Sequence, residues 1–443
     1  MIQTVENIGE KLISMLTYDA SQPLIFSSGL FLFLFAGFLF FYGFTRRAPI
    51  ARIVYVILFS LYFYYKSSGI YFLLLVFASV SDYWIAHAIY KVRTQRAKYW
   101  LVGLSILVNL GMLGYFKYTN FLIEIANNLF GQGFLNFQNI FLPVGISFFV
   151  FQSMSYTIDI CRGQLKPLNN WADYLFYLSF FPQLVAGPIV RAKDFIPQIR
   201  QNPLRVTREM FGMGVFLILI GLFKKAVISD YISLNFVDRI FDEPLLYSGF
   251  ECLMGIYGYA LQIYCDFSGY SDMAIGIALL LGFRFPKNFD APYKSATITE
   301  FWRRWHISLS TWLRDYLYIS LGGNRKGRIR TYFNLLVTML LGGLWHGAAV
   351  RFILWGALHG IALALHKLWL SVVPGSKATG AEMRWFWRIP GIFFTFNLVC
   401  FGWLMFRAES MKTVQLMLHQ IFTNFNPSVI PQVLEGYAGI FLL

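Results

Sequence analysis

The sequence predicts an all-α fold: a polytopic integral membrane protein of roughly ten to twelve helices, some broken or re-entrant, around a polar central cavity. Three observations predict it. Hydrophobic side chains make up 57% of the 443 residues and charged ones 13%, far more apolar than a soluble core requires. Apolar runs recur at about the ~20 residues that one bilayer crossing needs. The Lys and Arg residues behind the net charge of +15 gather in short loops between those runs, where orientation signals lie, so no nucleic-acid partner is implied.

The elements follow in order. Residues 1–23 are mildly acidic and lack the basic start of a cleaved signal, so the first run, 24–44, is expected to stay as an anchor. Runs at 50–65, 70–90 and 99–116 come next. Those at 141–160 and 174–190 carry Pro143, Pro182, Gly187 and Pro188, which suits broken or re-entrant pieces shielded by protein. The run 211–229 precedes a longer one, 252–283, which holds Asp266, Ser268, Ser271 and Asp272. These polar residues either line an acceptor path or tie helices together. Asp82, near the end of the third run, reads as a structural or interfacial charge. Runs at 331–349, 352–370 and 389–406 complete the series, with a further apolar stretch at 436–443. No internal repeat or low-complexity linker interrupts them, so one membrane domain, 1–443, is expected.

Loop charge sets an expected orientation. Arg46, Arg47 and Arg52 flank the first turn and Lys91, Arg93, Arg96 and Lys98 the third, which places that side in the cytoplasm. The N-terminus, with Glu6, Glu10 and Asp19, then lies outside, as does the acidic loop of Asp230, Asp238, Asp242, Glu243 and Glu251. The basic cluster of Arg325, Lys326, Arg328 and Arg330 starts the 331–349 run from the cytoplasm.

That run ends in the sequence LGGLWHGA, residues 341–348. A titratable imidazole inside a membrane usually faces a hydrated cavity or reaction path, which makes His346 a functional candidate against the alternative of a buried histidine bonded across helices. A second stretch, 297–315, opens with a capping box, Thr297 and Glu300, after which Trp302, Trp305, Leu309, Trp312 and Tyr316 recur at helical spacing. It predicts an amphipathic helix that either lies at the headgroup level or lines a polar cavity with His306 pointing inward. His359 and His366 share a face at seven-residue spacing, but no carboxylate or cysteine accompanies them, so packing is expected and no metal site. Cys161, Cys252, Cys265 and Cys400 stand singly, without disulfide or zinc spacing. A GxSxG elbow is missing and Cys265 has no basic neighbour in sequence, so covalent catalysis by the chain is unsupported.

Four blocks carry a resemblance: LPVGISFFVFQSMSYTIDICRG (142–163), YCDFSGYSDMAIG (264–276), FWRRWHISLSTWLRDYLYISLGGNRKG (301–327) and GGLWHGA (342–348). Together, in this order, they resemble the membrane-bound O-acyltransferase family, in its branch of bacterial alginate O-acetyltransferase membrane subunits. The resemblance implies transfer of an acyl group, most simply acetyl, from a cytoplasmic thioester to an extracytoplasmic acceptor for O-acetylation of an exopolysaccharide such as alginate. It implies catalytic roles for His346 and His306, and substrate contacts for Arg303, Asn324, Asp266 and Trp345. An imidazole titrating near pH ~6.5 suits taking a proton from an attacking hydroxyl. His306 would orient the thioester or stabilise its oxyanion. No permanently bound cofactor is implied; the donor would be acetyl-coenzyme A or another acyl thioester, with an acyl carrier protein as an alternative carrier. A hydrolase-like extracytoplasmic protein would receive the acetyl group, and the location would be the bacterial cytoplasmic membrane. D-alanyl transfer to a cell-wall polymer, a transporter and a scaffold for polysaccharide export are the alternatives.

Overall fold

A backbone in hydrocarbon has no water to satisfy its N–H and C=O groups, so a chain this apolar crosses a bilayer only as helix or closed barrel. In the computed structural model the described residues are 14–45, 47–185, 187–201, 204–373, 384–432 and 434–435, and among them there is helix and no strand. The protein is an all-α integral membrane protein. Glu6, Glu10, Arg46 and the apolar stretch 436–443 lie outside the described residues.

Among the described residues, five helical stretches are long and apolar enough to cross a membrane: Pro49–Lys91, Gln95–Phe130, Arg208–Asp242, Val350–Val372 and Trp385–Arg407. The others fall short for physical reasons. The run expected at 174–190 becomes a short helix, Trp171–Ser179, and a single turn, Phe181–Leu184, each buried inside protein and set off by Pro182 and Gly187. The helix ending at His346 is 19 residues long but buries Thr331, Asn334 and Thr338, which lower its hydropathy.

The chain divides into two compact units, one of residues 1–218 and 273–286, the other of 219–272 and 287–443. In the first, α1 (Gly29–Thr45), α2 (Pro49–Ser68), α3 (Phe72–Lys91), α4 (Gln95–Leu113), α5 (Thr119–Phe130), α6 (Ile146–Cys161) and α7 (Trp171–Ser179) pack around aromatic side chains that include Phe31, Phe38, Phe63 and Phe181. The short α8 (Ala192–Ile199) is tied down by Arg52, whose guanidinium donates to Ile199 O at 2.9 Å and Gln201 O at 2.8 Å. Asp82 on α3 is fully buried and accepts from Ser105 Oγ at 2.6 Å, Asn109 Nδ2 at 2.6 Å and Ser153 Oγ. It is therefore a structural node joining α3, α4 and α6 rather than an interfacial charge, since a buried carboxylate needs its donors.

The helix α9 (Arg208–Leu222) leads through a π turn, Phe223–Ser229, toward α10 (Gly249–Leu280). The second unit then contains α11 (Ile298–Arg304), α12 (Ile307–Trp312), α13 (Arg328–His346), α14 (Val350–Val372), α15 (Trp385–Arg407) and α16 (Met411–Thr423). Its core is aromatic, with Phe301, Trp305, Trp355 and Trp403 buried together. α13 and α14 form a tight antiparallel hairpin. A Cβ on Gly343 would lie 2.2 Å from Phe352 O, and one on Gly356 would lie 2.3 Å from Met339 O, so only glycine lets the two backbones approach this far.

Candidate functional site

The expected continuous helix over 297–315 is broken. Thr297 caps α11 by accepting from Glu300 N at 3.1 Å, and Glu300 reaches back to Ala296 N at 2.9 Å, so the helix starts as its sequence predicts. It ends at Arg304, and α12 begins only at Ile307. At the break His306 takes φ 42° and ψ 56°, a left-handed conformation that costs a non-glycine residue about 1–2 kcal/mol. Asn288 holds the break open. Its carbonyl accepts from Ile307 N at 2.8 Å and its Oδ1 accepts from Ser308 N at 3.2 Å and Ser308 Oγ at 2.9 Å, while its Nδ2 donates to Ser271 Oγ at 3.0 Å.

These bonds fix the histidine tautomer. Asn288 Oδ1 can only accept, and it lies 3.1 Å from His306 Nδ1, so Nδ1 carries the proton and Nε2 presents its lone pair. His306 is 1% exposed, and its Nε2 has no hydrogen-bond partner among the described residues. Burial, with the nearby His346 ring adding to it, holds this imidazole well below its ordinary titration range and therefore neutral.

His346, the last residue of α13, is half-buried among aromatic edges: Trp345 at 4.9 Å between ring centroids, Trp355 at 5.2 Å and Phe406 at 5.1 Å. Arg351 fixes the last of these by donating to Phe406 O at 2.7 Å. Trp345 is also 6.4 Å from the His306 ring, so this side chain stands within reach of both histidines. On the other side of His306 lies Phe267 of α10, at 4.6 Å and edge-on. Beyond Trp355 the aromatic ladder continues to His359 at 4.7 Å, which is fully buried, and from His359 to Trp302 at 5.2 Å. The indole N–H groups of Trp302 and Trp355 and both ring nitrogens of His359 lack partners among the described residues. Each unsatisfied buried polar group costs about 1–3 kcal/mol, and a cluster of them marks where a polar reactant completes a site.

The other sequence candidates lie elsewhere in the unit. Arg303 lines a cavity of about 630 Å³ together with Trp302, His366 and Lys367. Asn324 is exposed in the turn before α13, and none of the described contacts ties it to either histidine. Asp266 is paired with Lys225 at 2.7 Å, and Asp272 with Lys224 at 2.7 Å, so these two acids of α10 hold the two lysines of the π turn. Asn288, Phe267 and Phe406 were missed by sequence reasoning. Asn288 sits in a loop with no motif, and the two phenylalanines are indistinguishable in sequence from the 45 others.

Comparison with known proteins adds an independent line. The sequence model of MBOAT, the membrane-bound O-acyltransferase family, matches residues 164–410, which include His306 and His346. The chain is 44% identical over 406 residues to a probable alginate O-acetylase of Azotobacter vinelandii, spanning 90% of this chain and 78% of that protein. It is 37% identical over 428 residues to a peptidoglycan O-acetyltransferase of Helicobacter pylori, covering 89% and 79%, and 31% identical over 337 residues to a teichoic acid D-alanyltransferase of Streptococcus thermophilus, covering 71% and 77%.

Proposed function

We propose, because this chain belongs to the membrane-bound O-acyltransferase family and is a membrane O-acyltransferase of polymers, that it moves an acetyl group from a cytoplasmic thioester to an acceptor outside the cell membrane. The acceptor is an exopolysaccharide such as alginate, reached directly or through a hydrolase-like extracytoplasmic protein. Acetyl is favoured over D-alanyl because identity is higher to the O-acetylase, 44%, than to the D-alanyltransferase, 31%. Acetyl-coenzyme A or another acyl thioester, an acyl carrier protein included, is the donor. The bacterial cytoplasmic membrane is the location, with the N-terminus outside.

The observation that carries this reading is the convergence of two histidines on Trp345 beside buried polar atoms, those of Trp302, Trp355 and His359, that lack partners among the described residues. His346 takes the proton of the attacking hydroxyl as its oxygen bonds to the thioester carbonyl carbon. The C–S bond then breaks and the proton passes to the departing thiolate. His306, whose Nε2 offers a lone pair, accepts a hydrogen bond from a second donor group of the acceptor and orients it, which leaves the proton of the attacking hydroxyl to His346. That tautomer makes an oxyanion-donating role for Nε2 unfavourable, because donation would require the buried ring to take a second proton.

The test is His346→Ala, with insertion confirmed, in cells that export the polymer. General base catalysis contributes about 10²–10⁴-fold, so O-acetyl groups on the polymer are expected to fall by that order. Acetylation at the parental level would overturn the assignment.

A further inference from the structure

Asp82 stands where a carboxylate is most costly. It is the eleventh of the 20 residues of α3, so at about 1.5 Å per residue it lies ~15 Å from either end of the helix, near the middle of a ~30 Å hydrocarbon core. It is 0% exposed, and no Lys, Arg or His among the described residues forms an ion pair with it. Hydrogen bonds satisfy its lone pairs but leave its charge in place, and an uncancelled charge at this depth marks an ion or proton site.

Hydroxyl oxygens crowd around it. Ser105 Oγ donates to Asp82 Oδ1 at 2.6 Å, and Thr157 Oγ1 lies 2.9 Å from Ser105 Oγ. Ser153 Oγ donates to Asp82 Oδ2, with Tyr174 OH 2.9 Å from that hydroxyl. Asn109 separates a proton from an ion. Its Nδ2 donates to Asp82 Oδ2 at 2.6 Å and to Ser105 O at 3.0 Å, but its Oδ1, in the same planar amide, is buried without a partner among the described residues. A proton on Asp82 leaves that oxygen orphaned, whereas a cation beside the carboxylate satisfies it with the rest.

The donor set chooses the ion. Carboxylate, hydroxyl and amide oxygens are hard ligands, and neither a thiolate nor an imidazole accompanies them, which suits a hard cation rather than a transition metal. One carboxylate brings one negative charge, so a monovalent ion leaves the node neutral at mid-membrane, whereas a divalent one would leave it charged. Among the described residues no three His, Cys, Asp or Glu side chains gather as a metal site. The oxygens stand close enough to hydrogen-bond with one another, a spacing for a small ion. Ser105 and Ser153 sit in helix interiors, where a hydroxyl can turn its hydrogen to the carbonyl four residues back and offer its lone pairs inward.

We infer that Asp82, with Ser105, Ser153 and the Oδ1 of Asn109, binds one sodium ion that ties α3, α4 and α6 together. The inference rests on none of the acyl-transfer chemistry, and its test reads binding rather than activity. Binding of radiolabelled sodium to the purified full chain in detergent, at fixed pH and with choline chloride holding ionic strength constant, provides that test. The parent is expected to bind one ion saturably, displaced by unlabelled NaCl and much less by KCl. Asp82→Asn is expected to lose that binding, and Ser153→Ala, which keeps the carboxylate but removes one oxygen, to weaken it roughly tenfold. Thermal unfolding shows that the variants are folded and gives a second readout: NaCl in place of choline chloride raises the melting temperature of the parent saturably and leaves that of Asp82→Asn where it is. Absence of saturable binding by the folded parent, equal binding by Asp82→Asn, or displacement by KCl as effective as by NaCl would each overturn it. So would a parent melting temperature indifferent to sodium, which would leave a proton as what neutralises Asp82.

Discussion

His306 sits in a backbone conformation that its own side chain does not favour, and Asn288 is what makes it stay there. Two bonds from Asn288 to the backbone at Ile307 and Ser308 and one to the imidazole set both the ring position and its tautomer. The pH consequence has a definite sign. A histidine held below its ordinary pKa of 6.5 remains neutral as the pH falls below that value, so its acid limb in a pH–rate profile lies on the acid side of 6.5. Asn288→Asp keeps an oxygen at Nδ1 but adds a negative charge, which favours the imidazolium. The acid limb of acetyl transfer in this variant is therefore expected to move toward neutral pH, with activity near pH 8 much less affected than activity near pH 6. Profiles of parent and variant that superimpose would show that His306 does not titrate in the rate-determining chemistry.

At the scale of elements, the α13–α14 hairpin decides where His346 stands. Without a hydrophobic driving force between helices in lipid, close packing holds such pairs, and it needs small residues at the contact. Gly356→Ala puts a methyl 2.3 Å from Met339 O, an overpacking that costs about 1–3 kcal/mol, whereas Gly103→Ala on α4 meets open space. Thermal unfolding in detergent is expected to fall for Gly356→Ala, with acetylation, and to hold or rise for Gly103→Ala. Equal melting temperatures would remove the hairpin from the account. The existence of these helices was legible from apolar runs and the glycine-rich end of α13. The break between α11 and α12 was not, because helical spacing continues through Trp305 and His306, and the residue that holds the break is Asn288, distant in sequence from Ile307 and Ser308 and brought to them only by the tertiary fold. The same holds for 174–190: its prolines signalled a broken piece, but only packing shows that the piece is too short and too buried to cross.

For the whole molecule, composition sufficed to read an all-α membrane protein, since 57% apolar residues suit a chain that crosses a bilayer as helices, and the described residues hold no strand. The polar nodes were harder. Asp82 reads in sequence as one more charge near a run end, and only the fold brings Ser105, Asn109 and Ser153 to it. Orientation rests on charge alone, and it makes the final prediction. If basic loops stay in the cytoplasm, the exposed Lys326 faces inward, and the exposed Asp242, in the acidic segment between α9 and α10, faces outward. The background for a labelling test is favourable, because Cys252, Cys265 and Cys400 are buried and Cys161 is only partly exposed. Single cysteines placed at these two positions in a chain with the four native ones replaced by serine or alanine are expected to differ in intact cells. Asp242→Cys should react with a membrane-impermeant maleimide, while Lys326→Cys should react only after permeabilisation. Labelling of Lys326→Cys from outside would invert the topology, and with it the direction of acyl transfer, because the donor would then approach from the face assigned here to the acceptor.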